Sequence, residues 1–164
     1  RYLPGDTVMF TSKYPYKIKI NGRTKHFINA FGEEVMVENT DRALAKTCAA
    51  TGAVVSEYTV APIYLEEDGK GGHEWLIEFD KAPNDLAQFA DLLDANLQQI
   101  NSDYEAKRFK NMALERLQIH AIEPGTFIRW LRSKGKFGSQ VKVPRLSNDR
   151  KYVDEVLAFL KEVV

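Results

Sequence analysis

The sequence has few of the residues that cross-link a small domain or bind metal ions. Among its 164 residues there is one cysteine, Cys48, and there are three histidines, His26, His73 and His120. A single cysteine excludes an internal disulfide and every multi-cysteine zinc site, and it is typical of a reducing compartment, so we expect a cytoplasmic protein. Cys48 falls in an alanine-rich stretch, and we interpret it as a small apolar residue of a helix. The histidines lack the spacing of metal ligands, so no metal site is predicted.

Long apolar runs and a net charge are also absent. No stretch has the length of a transmembrane helix or the pattern of a signal peptide, so we expect no membrane partner. Lysine plus arginine and aspartate plus glutamate number 23 each, and the formal net charge is zero. The chain therefore has no overall field to attract nucleic acid, and we expect no such partner. The apolar share of 44% and the charged share of 28% are typical of a globular protein.

The first segments predict a β-hairpin. Tyr16, Ile18 and Ile20 alternate with lysines, which is typical of a strand with one solvated face. The dipeptide Asn21-Gly22 follows at once and is a strong signal for a type I′ turn, because both central residues of that turn need positive φ. The sequence therefore predicts a turn there and a return strand over residues 23–29.

The remaining chain alternates between helical and strand patterns. "ENTDRALAKTCAATG" predicts a helix with Asn39 or Thr40 as N-cap, Leu44 and Ala45 facing inward, and Gly52 as its stop. Two strands flank "DGKGG" as a second hairpin, "LQIHAIEPG" predicts a further strand and "TFIRWLRSKG" a short helix. A helix with an inward face follows the hairpin, a shorter one "YEAKRF" comes next, and a last helix starts at Asp149. The inward face consists of Leu86, Phe89, Ala90, Leu93 and Leu97. The predicted fold class is α/β, with a small mixed β-sheet flanked by helices and preceded by the first hairpin.

Several motifs resemble those of a known enzyme superfamily. "YLPGD" resembles the Tyr-x-x-Gly-Asp motif of the adenylate-forming enzymes, and "NGRTKHFINAFGEEV" resembles the hinge motif that follows it. "NSDYEAKR", "KGKFGSQVKVPRLSN" and "GGHEWLIEF" are similar to one branch, the Gretchen Hagen auxin-responsive family of acyl acid amido synthetases, in its bacterial form. The resemblance runs from Tyr2 to about residue 150.

The resemblance implies a C-terminal piece of a longer ATP-dependent ligase. Residues 1–22 would be the end of the large adenylating domain and the approach to the hinge, and residues 23–164 the mobile C-terminal domain. The expected substrates are a carboxylic acid and an amine, with ATP and Mg²⁺ bound mostly by the preceding domain. That domain is the expected partner, and the piece alone should be inactive. Strands of the first hairpin left without partners are expected to drive dimerisation or to be partly disordered.

The resemblance also implies roles for single residues. Asp6 would bind the ribose hydroxyls, with Tyr2 and Arg23 also at the nucleotide, and Lys25 would be the hinge residue. From the residues alone, Asp6 can equally cap its own turn, and "GRTK" can be a polar hairpin.

A lysine of the C-terminal domain is the implied catalytic residue. Lys142 in "SQVKVPR" is the first choice, because a loop lysine can approach the charge that develops on the α-phosphate. Lys136, in the Gly-Lys context that many superfamily members use, is the alternative, and a merely solvated lysine is another.

Two polar groupings have no assigned chemistry. Asn101, Tyr104 and Arg108 are spaced three and four residues apart, so they share one helical face that can contact a substrate or the large domain, or cap the helix and cover the core. Glu33 and Glu34 are interpreted as a domain contact or the start of a helix, not as an acid/base couple.

Two other functions fit the sequence. An acyl-coenzyme A ligase would pass the acyl group to a thiol, but no basic cluster is dedicated to that cofactor. A free-standing small-ligand or interaction domain is the rival from another class, since small α/β folds host many binding functions.

Overall fold

The computed structural model describes residues 5–23, 27–64, 70–111, 113–138 and 142–163. The fold is mixed α/β, as predicted. The strands are β1 (Asp6–Lys13), β2 (Tyr16–Arg23), β3 (Phe27–Ile28), β4 (Val35–Met36), β5 (Val54–Tyr64), β6 (Gly71–Lys81) and β7 (Gln118–Ile122). The helices are α1 (Val37–Thr51), α2 (Leu86–Ile100), α3 (Ser102–Arg108), α4 (Thr126–Ser133) and α5 (Lys151–Val163). Among these described helices, none has both the length and the apolar character needed to cross a membrane.

The described strands form three small sheets. β1 pairs with β2 and β3 with β4, both antiparallel. In the third sheet β6 lies between β5, which is antiparallel to it, and β7, which is parallel. A parallel neighbour requires a crossover, which α2 and α3 supply. The small mixed sheet and the second hairpin, β5–β6, are therefore confirmed.

The first hairpin turns at a different place from the one predicted. The turn is at Tyr14 and Pro15, and β2 continues through Asn21-Gly22 to Arg23. Pro15 has no N–H to give to a ladder and favours a turn, whereas β1 supplies partners as far as the end of β2, with Thr7 opposite Gly22. The Asn-Gly pair thus lies inside the β1–β2 ladder, and β2 is itself the return strand of the hairpin. The predicted return strand was wrong, since Phe27 and Ile28 form β3 and pair with β4.

The start of α1 also differs from the prediction. Met36 is the N-cap, and Asn39 lies in the first turn, where its Oδ1 accepts a hydrogen bond from Met36 N at 2.8 Å. The amide therefore satisfies a backbone donor from inside the helix. Leu44 is buried as predicted, but Ala45 is exposed. Gly52 ends the helix with φ of 70°, which confirms the predicted stop.

A core lies on each face of the three-stranded sheet, because alternate residues of β6 point to opposite sides. Trp75 and Ile77 pack with residues of α1 and α2, whereas Leu76 packs with residues of α4 and α5. The predicted inward face of α2 is confirmed, with Leu86 partly buried and the other four residues buried. Cys48 packs partly buried against the first core, and burial raises the pKa of its thiol.

Candidate functional site

Lys142 begins an extended segment, residues 142–147, that is fixed to the edge of β5. Val60 N donates to Arg145 O at 2.8 Å, and Ser147 N donates to Val60 O at 3.2 Å. The Thr59 hydroxyl donates to the carbonyl oxygen of Pro144, the residue before Arg145, at 2.7 Å. These bonds extend the sheet for a short distance, so the backbone that follows the lysine has a defined position.

A charged brace holds the same segment against α1. Nη1 of Arg145 donates to both carboxylate oxygens of Asp41, and its Nε donates to Glu57 Oε1 at 3.4 Å. The guanidinium also lies 5.2 Å from the centre of the Tyr58 ring. The Tyr58 hydroxyl donates to Asp41 Oδ1 at 2.6 Å. Burial and then this carboxylate raise the pKa of Tyr58, so the phenol stays a donor.

The two lysines suggested by the sequence have different surroundings. The Lys142 side chain is exposed, and the next residue, Val143, is buried in the second core. Lys136 is also exposed, and its backbone N donates to Leu131 O at 3.0 Å in the turn that closes α4. Lys142 therefore presents its charge from the anchored segment, whereas Lys136 presents it from a helix end. An ammonium group in either place can approach an anion that arrives from solvent.

Two of the residues implied at the nucleotide, Asp6 and Arg23, lie at the open end of the first hairpin. Tyr2 and Lys25 fall outside the described residues. The backbones of Asp6 and Arg23 are described, and the register of β1 and β2 places these two residues directly opposite each other. The strand pairing thus brings together the backbones of two residues that the resemblance assigns to the nucleotide.

The first hairpin approaches α1 through β2. Lys19 Nζ lies 3.7 Å from Glu38 Oε1, and a cleft of about 450 Å³ separates β2 from the first turns of the helix. Cross-strand partners share a face, and one face of this hairpin is apolar and exposed. Its members are Val8, Phe10, Tyr16, Ile18 and Ile20, each at least 51% exposed. We refer to these five residues as the hairpin face.

The polar face of α3 contacts the chain's own helices. Asn101 Oδ1 accepts from Tyr104 N at 2.7 Å, which caps α3. The Tyr104 hydroxyl, only 1% exposed, donates to Asp94 Oδ1 at 2.7 Å, and Arg108 donates to both oxygens of that carboxylate. Burial and then Asp94 raise the pKa of Tyr104 well above its ordinary value. These contacts correspond to the alternative in which the face caps the helix and covers the core.

Sequence reasoning did not identify a buried pair beneath the β3–β4 loop. Glu33 Oε1 and His73 Nε2 are 2.9 Å apart, and both side chains are fully buried. Burial opposes ionisation of Glu33, but the hydrogen bond and electrostatic interaction with His73, together with backbone hydrogen bonds from Glu33 and Phe31, outweigh burial and lower the pKa of Glu33. Glu33 therefore contacts β6, not the start of α1. No local signal links two residues forty positions apart.

Within the described ranges, no group of three or more His, Cys, Asp or Glu side chains is placed to hold a metal ion. The polar groups described above are hydrogen-bonded pairs and braces, together with the exposed lysines Lys136 and Lys142.

Comparisons with known proteins find a matching family and solved structures with a similar fold. Residues 38–151 match the family model described as GH3 family C-terminal domain. A solved GH3.15 acyl acid amido synthetase has a similar fold, with a TM-score of 0.71 and 16% sequence identity; the match covers 94% of this chain and 30% of that one. A second structure, AtGH3.15 acyl acid amido synthetase in complex with 2,4-DB, gives 0.68 and 17%, covering 94% and 29%. The chain thus spans less than a third of either synthetase. A comparison with curated proteins finds no match.

Proposed function

Because the chain belongs to the GH3 family, with the C-terminal domain of that family over residues 38–151, we propose that it is the C-terminal part of an ATP-dependent acyl acid amido synthetase. The similar structures are synthetases of this description, and they extend well beyond the matched region. The proposed substrates are a carboxylic acid, ATP with Mg²⁺, and an amino acid as the acceptor amine. The acid-binding and most of the nucleotide-binding groups would belong to the preceding domain.

The proposed reaction has two steps. A carboxylate oxygen attacks the α-phosphorus of ATP, which forms an acyl adenylate and breaks the bond to pyrophosphate. The amine nitrogen then attacks the acyl carbon, loses a proton, and expels AMP to leave an amide. The first step concentrates negative charge on the α-phosphate oxygens, and a cation placed there lowers its barrier.

The observation that carries the proposal is the exposed Lys142 on a backbone fixed by β5 and α1. A catalytic lysine needs an ammonium group that is free to approach the substrate and a backbone that is held in place. Lys142 meets both conditions, since its side chain is exposed and the residues that follow it are anchored. We therefore propose Lys142 as the catalytic lysine, with Lys136 as the residue against which it is tested.

The open end of the first hairpin is the proposed nucleotide contact of this chain. Asp6 would accept hydrogen bonds from the ribose hydroxyls, and Arg23 would lie beside it, consistent with their opposition in the strand register. Tyr2 is proposed to border the same nucleotide, and Lys25 to be the hinge. The hairpin face is proposed to pack against the preceding domain, because five exposed apolar side chains on one small surface typically mark an interface.

The experiment uses the longer protein that includes the preceding domain. Pyrophosphate release is measured with ATP and a panel of carboxylic acids, for the wild type, Lys142→Ala and Lys136→Ala. We expect acid-dependent release that falls about a hundredfold or more in Lys142→Ala and little in Lys136→Ala. The opposite order would assign the role to Lys136, and release from no acid would contradict the adenylating function. Acyl transfer to coenzyme A in place of an amino acid would contradict the proposal that the acceptor is an amine.

A further inference from the structure

The segment that carries Lys142 is bonded to the strand that follows the hinge region. Asn148 Oδ1 accepts a hydrogen bond from Asn29 N at 2.7 Å, and its Nδ2 donates to Phe27 O at 3.1 Å. One side chain thus satisfies both a donor and an acceptor at the end of β3. The residues joined are 119 and 121 positions apart, so no local propensity brings them together.

The segment Phe27–Met36 is itself fixed to the sheet. Ile28 and Val35 are fully buried in the first core, and the Glu33–His73 pair lies beneath the loop between them. Glu33 Oε2 also accepts from Phe31 N at 2.7 Å, which fixes the loop backbone. A displacement of β3 relative to β6 would therefore expose apolar side chains and leave a buried carboxylate unpaired, both of which are costly.

Between Asn148 and Lys142 the chain has little freedom. Arg145 is bound to Asp41 through its side chain and to Val60 through its carbonyl, and Leu146 forms a parallel bridge with Val60. The lysine backbone, the anchored segment and β3 therefore form one continuous structural unit. A rotation that moves β3 has to move Lys142 with it.

We propose that Asn148 is a positioning residue that couples the strand after the hinge to the catalytic lysine. The inference rests on the proposed function, because it assigns the contact a role in placing Lys142 during adenylation. Asn148 touches no reacting atom in this scheme. It acts by keeping the Lys142 segment in register with β3, so that one hinge rotation delivers the lysine to one position.

The test compares Asn148→Ala, which removes both hydrogen bonds, with Asn148→Asp, which keeps an acceptor for Asn29 N. Both bonds lie at the surface, so we expect the variants to fold. Asn96→Ala is the matched control, because Asn96 also makes a long-range hydrogen bond through its amide, to Thr47 Oγ1 at 3.0 Å. Amide exchange of Asn29 is followed by NMR in the 164-residue chain, and pyrophosphate release in the longer protein.

We expect Asn29 to exchange about tenfold faster in Asn148→Ala, because its amide loses its acceptor. In the longer protein, the kcat of adenylation should fall about tenfold or more while the KM values for ATP and acid stay unchanged. Asn148→Asp should recover part of both effects, and Asn96→Ala should show neither. Faster exchange with an unchanged kcat would overturn the positioning role. A wild-type protein that releases no pyrophosphate would instead overturn the proposed function, while the exchange data would still test the contact.

Discussion

Nη1 of Arg145 lies 2.9 and 2.8 Å from the two carboxylate oxygens of Asp41, which attaches the segment after Lys142 to α1. Both side chains are about two-fifths exposed, at 39% and 44%, so the pair is screened by solvent. The pair therefore contributes little to the free energy of unfolding. Its main effect is to fix the position of the segment against the helix.

Arg145→Met should lower the free energy of unfolding by about 1 kcal/mol, because a partly exposed ion pair contributes little. Arg129→Met is the control, since Arg129 lies 3.6 Å from exposed Glu123 and donates to Thr126 Oγ1 at 3.1 Å within its own helix, and it should lower stability less than Arg145→Met. Urea titration of the chain measures both. A loss of several kcal/mol from Arg145→Met would mean that the brace is part of the core and not a surface attachment.

Glu33 should make stability depend on pH in the acid range. Its pKa in the folded chain is below the ordinary value of 4.5, so its contribution is complete above that value and is lost as pH falls through the lower, folded-state pKa. Glu33→Gln should be less stable than wild type near neutral pH and should lose less stability on acidification. Glu34→Gln, at an exposed neighbour, should retain the wild-type pH profile. Parallel profiles for wild type and Glu33→Gln would contradict the assignment.

Asp94 is a buried carboxylate that accepts hydrogen bonds from the side chains of Gln98, Tyr104 and Arg108. Asp94→Ala should cost about 3–5 kcal/mol, because it leaves the Arg108 guanidinium, 10% exposed, without this counter-charge. Tyr104→Phe removes only the hydroxyl donor and should cost about 1–2 kcal/mol. Denaturant unfolding measures the loss in free energy of unfolding for each variant. Equal losses would indicate that the ion pair with Arg108 contributes no stability beyond the Tyr104 hydrogen bond.

Gly71 is packed beneath an aromatic ring. A Cβ there would lie 1.8 Å from Cζ of Phe31, whereas a Cβ at neighbouring Gly72 would have its nearest contact 4.0 Å away, at Glu115 O. Gly71→Ala should therefore destabilise the chain by about 1–3 kcal/mol through overpacking, and Gly72→Ala should not. Adding Phe31→Ala to Gly71→Ala should recover part of the loss. Equal stabilities of the two glycine variants in thermal unfolding would contradict the contact.

The hairpin face should make the isolated chain associate. Neither β1 nor β2 pairs with any other described strand, and the five side chains of the hairpin face are exposed together, so we expect a concentration-dependent dimer. Ile18→Lys should shift the chain toward monomer in light scattering, whereas Lys17→Gln, on the opposite face, should not. A wild-type chain that stays monomeric at high concentration would contradict this expectation.

Local patterns predicted the elements whose signals lie within a few residues. The helix α2 follows from its periodic apolar positions, and the stop of α1 follows from Gly52, because both depend on adjacent turns of one element. The hairpin turn was misplaced because Asn21-Gly22 and Pro15 are both turn signals, and strand pairing decided between them.

The contacts of the candidate site were less predictable for a physical reason. Glu33 meets His73, and Asn148 meets β3, only after the sheet has brought distant segments together. A polar residue that will be buried beside a partner has the same sequence signature as one that will be solvated. Lys142 was proposed from the resemblance, but the anchoring of the residues that follow it, through Arg145 and Thr59, is a property of the fold.

The burial of Ile28 and Val35 limits how far the chain can be shortened from its N-terminal side. The family match begins at residue 38, but both side chains are fully enclosed by the first core, as is the carboxylate that contacts His73. A protein shortened to begin at residue 38 would open a cavity beneath α1 and leave a buried imidazole facing it. We therefore expect a piece that folds on its own to include residues 27–36 as well, so that it is longer than the stretch that matches the family.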